Sequence, residues 1–292
     1  MTAPAPLSVV ILTLDEERNL GACLDSVAGW ARDVFVVDSG STDGTVAIAE
    51  RAGAVVVRHP FETHARQWAW ALAHLPLDTE WVLGLDADQR VTPELRQAID
   101  AFLASPGGAR GAFVNRRQIF RGRWIRYGGY YPKYLLKLFR RDSVSIDEGE
   151  LVDHHFAVTG STARLAGDLI EDNRNEAAIA DWTAKHNRYA VLQAREERRR
   201  GAGRTRVGIG ALVGTPDERV AWMKQAWADL PRYVRPCLYV FYRYVLRLGF
   251  LDGRQGFVFH VLQGFWYRLL VDINLDELEA GGASGGHASH VP

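Results

Sequence analysis

Four short apolar runs, each followed by a polar turn and a helical stretch, set the architecture of the first hundred residues. Leu7-Ser-Val-Val-Ile-Leu-Thr13 is a nearly continuous apolar, β-branched run, the pattern of a parallel strand covered on both faces. After Asp15-Glu-Glu-Arg-Asn19, the positions Leu20, Cys23, Leu24 and Val27 fall at helical spacing. Acids at the start of that helix agree with its dipole. Val34 to Val37 predicts a second strand, closed by Asp38-Ser-Gly-Ser-Thr-Asp-Gly-Thr45. A helix carrying Val46, Ile48 and Ala49 follows, with Gly53 as its C-cap. Ala54 to Val57 predicts a third strand, Phe61 to Leu75 a helix, and Trp81 to Leu85 a fourth strand. This alternation predicts a doubly wound α/β sheet with right-handed crossovers. Ligands of such sheets sit outside the carboxyl ends of the strands. Thr13, Asp38 and Asp86 fall at three of those ends and are expected to converge on one crevice.

Beyond Pro106-Gly-Gly108 the pattern changes. Gly111 to Arg117 and Tyr134 to Arg140 read as strands around a loop rich in Gly, Tyr and Arg, from Arg121 to Lys133. An acidic patch, Asp147-Glu-Gly-Glu150, precedes Val152-Asp-His-His155. Ala177 to Arg200 predicts a helix ended by Gly201-Ala-Gly203, and residues 204–218 read as a linker. Between Arg219 and Arg268 lie 13 of the 31 aromatic residues. Tyr233 to Gly249 predicts a helix with Leu238, Phe241 or Tyr242, Val245 and Leu248 on its apolar side. Arg232, Arg235, Arg243 and Arg247 fall on or beside the other side, and Pro236 either kinks this helix or marks its start. Phe257 to Ile273 predicts a second such helix after an Asp252-Gly253 turn. Basic amphipathic helices with aromatic borders suit an anionic membrane surface. From Ala280 the chain is rich in Gly, Ser and Ala and reads as disordered. The expected division is an α/β domain over 1–205, an amphipathic helical membrane-associating region over 206–279, and a tail over 280–292.

Composition adds little to the fold and more to the partners. The chain has 292 residues, 47% hydrophobic and 24% charged, with 35 Lys+Arg against 35 Asp+Glu. Balanced charge implies no whole-chain attraction to nucleic acid. Locally the balance fails, because Arg110 to Arg141 holds ten Lys/Arg and no Asp or Glu. Such a field seeks an anion, whether a diphosphate, an acidic glycan or a lipid headgroup. Two distant cysteines, Cys23 and Cys237, make no disulfide framework and suit a reducing cytoplasm. No apolar stretch of roughly 18 residues occurs, so no membrane-spanning helix is expected. Leu7 to Leu14 lacks the basic flank of a signal peptide.

The candidate chemistry centres on Asp86-Ala-Asp88. Residues i and i+2 of a strand point the same way. Two crowded carboxylates invite a hard cation, Mg²⁺ or Mn²⁺, shared with phosphate oxygens. An ion held by Asp88 would offset the diphosphate charge of a nucleotide sugar. Asp38 can accept hydrogen bonds from ribose hydroxyls or a base, Ser39 and Ser41 can donate, and Arg66 is a candidate diphosphate clamp. Asp43 reads as a helix cap. An acceptor hydroxyl needs a general base, for which Glu148, Glu150, Asp153, His154 and His155 are the candidates; Asp147 and Glu148 read as solvated loop. Trp124, Tyr127, Tyr130 and Tyr131 are candidates for stacking on acceptor sugars.

In order and spacing, Leu7 to Leu20, Val37-Asp-Ser-Gly-Ser-Thr-Asp-Gly-Thr45 and Leu85-Asp-Ala-Asp88 resemble the family 2 glycosyltransferases of GT-A fold, over roughly residues 7 to 160. Gly128-Gly-Tyr-Tyr-Pro132, Leu138-Phe-Arg-Arg141 and Lys185-His-Asn-Arg-Tyr-Ala190 are similar to segments of bacterial enzymes of lipopolysaccharide-core and exopolysaccharide assembly. The resemblance implies a GT-A-type, doubly wound, mostly parallel sheet, here with a C-terminal amphipathic helical extension. It also implies inverting transfer of one sugar from a nucleotide-diphosphate sugar, usually UDP-linked, with Mg²⁺ or Mn²⁺. It assigns the strand end from Thr13 through Leu14 to Glu16, and Asp38, to the donor nucleotide, joining Ser39 and Arg66 read above, and Asp86 and Asp88 to ribose and metal. The base falls within Glu150 to His154, with Asp153 the choice. Asp15 stands where many members have Asn, Gln89 where a Glu follows the metal motif, and Trp68 where a small polar residue is common. The Gln-x-x-Arg-Trp motif of processive synthases is absent from the sequence, which implies a single addition per acceptor. The expected acceptor is a membrane-borne glycolipid or polysaccharide of the bacterial envelope. The expected location is the cytoplasm, peripheral on the inner face of the membrane. Transfer to polyprenyl phosphate, and nucleotide-sugar binding without turnover, are the alternatives.

Overall fold

The computed structural model describes residues 4–152, 154–201, 222, 225–227 and 229–284. They fall into two compact units, Met1–Trp182 and Thr183–Pro292.

Unit one is built on a mixed sheet. Its first elements are β1 (Ala5–Thr13), α1 (Leu20–Asp25), β2 (Ala31–Asp38), α2 (Thr45–Arg51), β3 (Val55–Arg58), α3 (His64–His74) and β4 (Trp81–Asp86). β1 lies parallel between β2 and β4, and β3 pairs parallel outside β2. Both faces of β1 are covered. Leu7, Val9 and Ile11 pack with Leu20, Cys23 and Leu24 of α1, while Val10 and Leu12 pack with Trp68 and Ala71 of α3 on the other face. Two-sided burial is why the run is apolar at nearly every position, each large side chain contributing about 1.5–3 kcal/mol. α3 begins later than its apolar pattern does, because Thr63 caps it by accepting the Arg66 N–H (3.2 Å).

The second half continues with β5 (Gln89–Val91), α4 (Pro93–Ala104), β6 (Gly111–Phe120), β7 (Arg123–Trp124), β8 (Tyr134–Arg140), β9 (Val144–Ile146), β10 (Phe156–Val158) and β11 (Thr162–Glu171). Strand order is β3-β2-β1-β4-β8-β6-β11-β5; β7 pairs with β6, and β9 and β10 form a separate two-stranded ribbon. β8 runs antiparallel to β4 and to β6, and β11 runs parallel to β6. Two reversals restore direction, so the carboxyl ends of β1, β2, β4, β6 and β11 share one rim. Phe156 of the ribbon packs against Trp68 and Phe139, with ring centroids 5.0 and 4.5 Å away. A Cβ at Gly84 would come within 3.1 Å of the Phe156 and Trp68 rings, so glycine lets these aromatics close over β4.

α5 (Ile179–Gly201) leads into unit two, which holds α6 (Val234–Phe241), α7 (Gly253–Phe259) and α8 (Tyr267–Ser284). π-helical turns at Tyr242–Leu246 and His260–Trp266 extend α6 and join α7 to α8. Pro236 sits in the first turn of α6, where its missing N–H costs no helical bond, so it marks the start of the helix. Ala190 and Ala194 of α5 pack on Tyr267, Val271 and Leu275 of α8. Two arginines expected on a basic face are paired with acids instead. Arg235 is buried and donates through Nε to Asp272 (2.6 Å), and Arg232 pairs with Asp276 and Glu279. These acids lie on α8, beyond the reach of a pattern read along α6 alone. Phe241, Val245, Leu246, Leu248 and Phe257 remain exposed. Among the described residues no helix is long and apolar enough to cross a membrane. The expected linker, 204–218, lies outside the described residues. Helix α8 reaches Ser284, into the stretch expected to be disordered, and 285–292 lie outside the described residues.

Candidate active site

Strand register brings the predicted acids to one edge. Thr13 is paired with Asp38 across β1 and β2, and Leu12 with Asp86 across β1 and β4. Neighbouring strands lie about 4.8 Å apart, so the three ends are adjacent. The two loops above them are stitched together. The Asp15 N–H donates to Ser41 Oγ (2.9 Å), Thr42 N–H to Asp15 Oδ1 (2.8 Å), Glu16 N–H to Thr45 Oγ1 (2.7 Å) and Gly44 N–H to Glu17 Oε2 (3.0 Å). Asp15 has φ +54, a left-handed conformation that Asp and Asn tolerate best among side-chain-bearing residues. Glu16 accepts from Asn19 (2.7 Å) and from Asn175 (3.1 Å). Leu14 is exposed at the rim.

Asp38 is buried, and its carboxylate accepts from Gly40 N–H and Ser41 N–H (3.0 Å each), from Ser41 Oγ and from Thr13 Oγ1 (3.2 Å). It organises its own loop rather than presenting a bare carboxylate to a ribose. Ser39 Oγ accepts from Gln67 Nε2 (3.1 Å), which also ties His59 to α3. Asp43, expected as a helix cap, sits one residue before the Gly44 N-cap of α2 and accepts the Thr45 N–H at 2.9 Å. Arg66 is exposed and ion-paired with Glu62 one turn earlier.

At the end of β4, the Lys137 ammonium donates to Asp86 Oδ2 (2.9 Å) from a buried position on β8. Burial alone would raise the Asp86 carboxyl pKa, but the Lys137 charge beside it holds it well below the usual range. Asp86 and Asp88 act on a common point: burial, then the Asp88 and Asp86 charges, push the Cys23 thiol up. Gln89 is buried and bridges outward. Its Oε1 accepts the Asp86 N–H (3.1 Å) and its Nε2 donates to Glu171 Oε2 (3.0 Å), whose Oε1 accepts from Arg116 (3.1 Å). The Asp172 N–H donates to the Asp88 carbonyl (3.0 Å). Sequence reading passed over Lys137 and noted Gln89 only as a departure from the family's metal motif. The available signal for the first was a lone charge inside the apolar Leu135-Leu-Lys-Leu-Phe139 strand.

Of the base candidates, Asp153 lies outside the described residues. Glu150 is buried and engaged by His155, whose N–H donates to Oε2 (2.8 Å) and whose Nδ1 meets Oε1 (2.9 Å). His154 lies among Trp68, Phe156 and His64; burial pushes its pKa down to about 3, against the pull of Asp86, so the ring is neutral. Glu148 and Asp147 are exposed.

A second polar cluster lies at the β6 and β11 ends of the same rim. Asp168 is buried and accepts from Asn115 (2.9 Å), from the Tyr131 hydroxyl (3.1 Å) and from Arg117. Burial and the Asp168 charge raise the Tyr131 pKa and keep its phenol a donor. The Arg117 and Arg126 guanidiniums lie 4.5 and 5.2 Å from the Trp124 ring centroid.

Acids and tightly bonded loops gathered at the carboxyl rim of a doubly wound sheet define a GT-A-type transferase domain. The chain belongs to glycosyl transferase family 2, whose model matches residues 8–158. It is 30% identical over 208 residues to the lipopolysaccharide core biosynthesis glycosyltransferase LpsC of Rhizobium meliloti (strain 1021), covering 68% of this chain and 73% of that protein. It is 39% identical over 99 residues to an uncharacterized glycosyltransferase of Rickettsia conorii, a match spanning 34% of each chain. Among solved structures it is similar to the mannosyltransferase PcManGT of Pyrobaculum calidifontis in complex with GDP-Man and Mn²⁺ (15% identity, TM-score 0.48, 94% of this chain and 89% of that one). It is also similar to the glucosyl-3-phosphoglycerate synthase of Mycobacterium tuberculosis (18% identity, TM-score 0.43, 65% of this chain and 79% of that one).

Proposed function

We propose that this glycosyltransferase moves one sugar from a nucleotide-diphosphate sugar, UDP-linked, onto a hydroxyl of a membrane-associated glycolipid or polysaccharide, with inversion, in assembly of the bacterial cell envelope. The observation that carries this reading is the shared rim, where adjacent strand ends hold Thr13, Asp38 and Asp86 together in a family 2 domain. The relative's role in lipopolysaccharide core biosynthesis supports the acceptor class.

Asp86 and Asp88 fit a hard divalent ion. Among the described residues no group of three His, Cys, Asp or Glu makes a complete cage. Mg²⁺ and Mn²⁺ need none here, since one or two carboxylates plus substrate phosphates suffice. Asp88 would hold the ion with Asp86 alongside, the latter kept ionised by Lys137. When bound, such an ion offsets charge on the departing diphosphate. Thr13, Leu14, Glu16 and the loop shaped by Asp38 and Ser39 would receive the nucleoside. Arg66 would clamp the diphosphate by exchanging its exposed partner Glu62. The acceptor oxygen forms a bond to the anomeric carbon as its proton passes to a carboxylate base. The bond from that carbon to the diphosphate oxygen breaks, and the nucleoside diphosphate leaves with the electron pair. Asp153 is the proposed base, because His155 engages Glu150 and His154 is a buried neutral ring. Attack opposite the leaving group gives a β linkage from an α-linked donor. The exposed apolar side chains of unit two, with Arg247 and Arg254 in solvent beside them, support attachment to an anionic membrane at the cytoplasmic face.

The test is thermal-shift screening of the full chain with UDP-, GDP- and dTDP-sugars, with and without Mn²⁺, followed by assay of nucleoside diphosphate release. A cognate donor at a hundred times its Kd adds about 2.7 kcal/mol. Asp88→Ala should abolish the metal-dependent part of both signals. Full turnover in that variant, or no shift with any donor, would overturn the reading.

A further inference from the structure

The turn from β6 into β7 and the loop that follows carry concentrated positive charge. Arg121-Gly-Arg-Trp-Ile-Arg-Tyr-Gly-Gly-Tyr-Tyr-Pro-Lys133 contains three arginines, one lysine and no acid. Arg121, Arg123 and Arg126 are exposed. On the neighbouring strands Glu171 pairs with Arg116 and Asp168 with Arg117. Among the described residues no ion pair reaches Arg121 or Arg123.

This charge sits on a rigid support. Phe120 pairs with Arg123 and Ile119 with Trp124, across a tight turn whose two residues, Arg121 and Gly122, have φ +49 and +75. Ile125 is fully buried and its N–H donates to the Gln118 carbonyl (2.9 Å). The far end is tied by Lys133 N–H to Asn115 Oδ1 and by Arg116 N–H to the Lys133 carbonyl, both 2.8 Å. Trp124 meets Tyr131 edge-on, centroids 4.9 Å apart, and bears the Arg126 guanidinium. Two guanidiniums already lie over this indole, so it orients arginines rather than stacking on a sugar. The cluster shares the donor rim, linked to Asp86 by the Gln89–Glu171–Arg116 hydrogen bonds.

We propose that this hairpin is an anion-binding acceptor subsite, in which Arg123 and Arg126 grip a phosphate or carboxylate borne by the acceptor glycan. The inference rests on the transferase reading above. Guanidiniums on a fixed base suit bidentate oxyanion binding, and selection of a charged neighbour sugar would set which hydroxyl reaches the donor.

The test uses the full chain and the arginine Nε–H signals in NMR, titrated with glucose 6-phosphate, glucuronic acid and, as a neutral control, glucose. Variants are Arg123→Gln/Arg126→Gln and a charge-matched control, Arg32→Gln/Arg51→Gln, both exposed. At least one anion should bind wild type and control alike. The hairpin variant should bind at least tenfold more weakly, with an unchanged melting temperature. Response to glucose 6-phosphate alone assigns phosphate, and to glucuronic acid alone assigns carboxylate; either supports the subsite. Equal binding by the hairpin variant, or glucose binding as tightly as the anions, overturns it. A donor thermal shift without anion binding sinks this inference alone, whereas loss of the donor shift in wild type strikes the transferase reading.

Discussion

Replacing Asp86 by Asn should cost more stability than replacing Lys137 by Met, although the two side chains are partners. Lys137 is the buried member, its side chain 5% exposed against 31% for Asp86. Asp86→Asn leaves an ammonium inside the sheet facing a neutral amide. Removing one partner of a buried pair costs about 3–5 kcal/mol, and the amide oxygen still accepts one bond, so we expect about 3 kcal/mol. For a unit of this size that lowers the melting temperature by roughly 6–12 °C. Lys137→Met fills the same channel with apolar chain and leaves Asp86 at the rim, where water reaches it; the expected cost is about 1 kcal/mol or less. The double variant should match Lys137→Met alone, a coupling of about 3 kcal/mol. Thermal unfolding of the full chain, followed by circular dichroism in chelator so that no cation occupies Asp86, measures all three. Equal losses in the two single variants, or additive losses in the double, would refute the argument that burial of the lysine sets the asymmetry.

Two further outcomes concern unit two. His260 is buried, with Asp252 Oδ2 4.0 Å from Nε2; burial and then Arg243 push its pKa down to about 4. The unfolded chain takes up this proton first, near pH 6.5. Stability present above that pH is therefore lost as pH falls toward 4, on the order of 3 kcal/mol; His260→Gln should flatten the stability–pH curve across that window, and an unchanged curve contradicts the assignment. Phe241→Glu with Leu246→Glu, both at exposed positions, should reduce co-sedimentation with anionic vesicles at least tenfold without lowering the melting temperature. Unchanged sedimentation would show that this face does not touch the membrane.

Much of unit one was legible as linear pattern. The parallel strands β1, β2 and β4 follow from apolar runs, because burial demands apolar side chains at nearly every position, and the edge strand β3 follows from its run of valines although it stays partly exposed. Thr13, Asp38 and Asp86 could be placed at one rim because a doubly wound sheet puts strand ends together whatever the intervening chain. The Asp43 hydrogen bond to Thr45 at the start of α2 is likewise local chemistry. Tertiary structure alone decided what those groups do with one another. Lys137 meets Asp86 across 51 residues of sequence, through the reversal at β8 and its register with β4. Asp38 turns inward to its own loop, and Arg232 and Arg235 find acids on a helix some forty residues away. Periodicity records which face of an element is dry, a property of a few neighbouring residues. Ion pairs and buried hydrogen bonds depend on strand register and helix placement, which no single stretch of chain encodes.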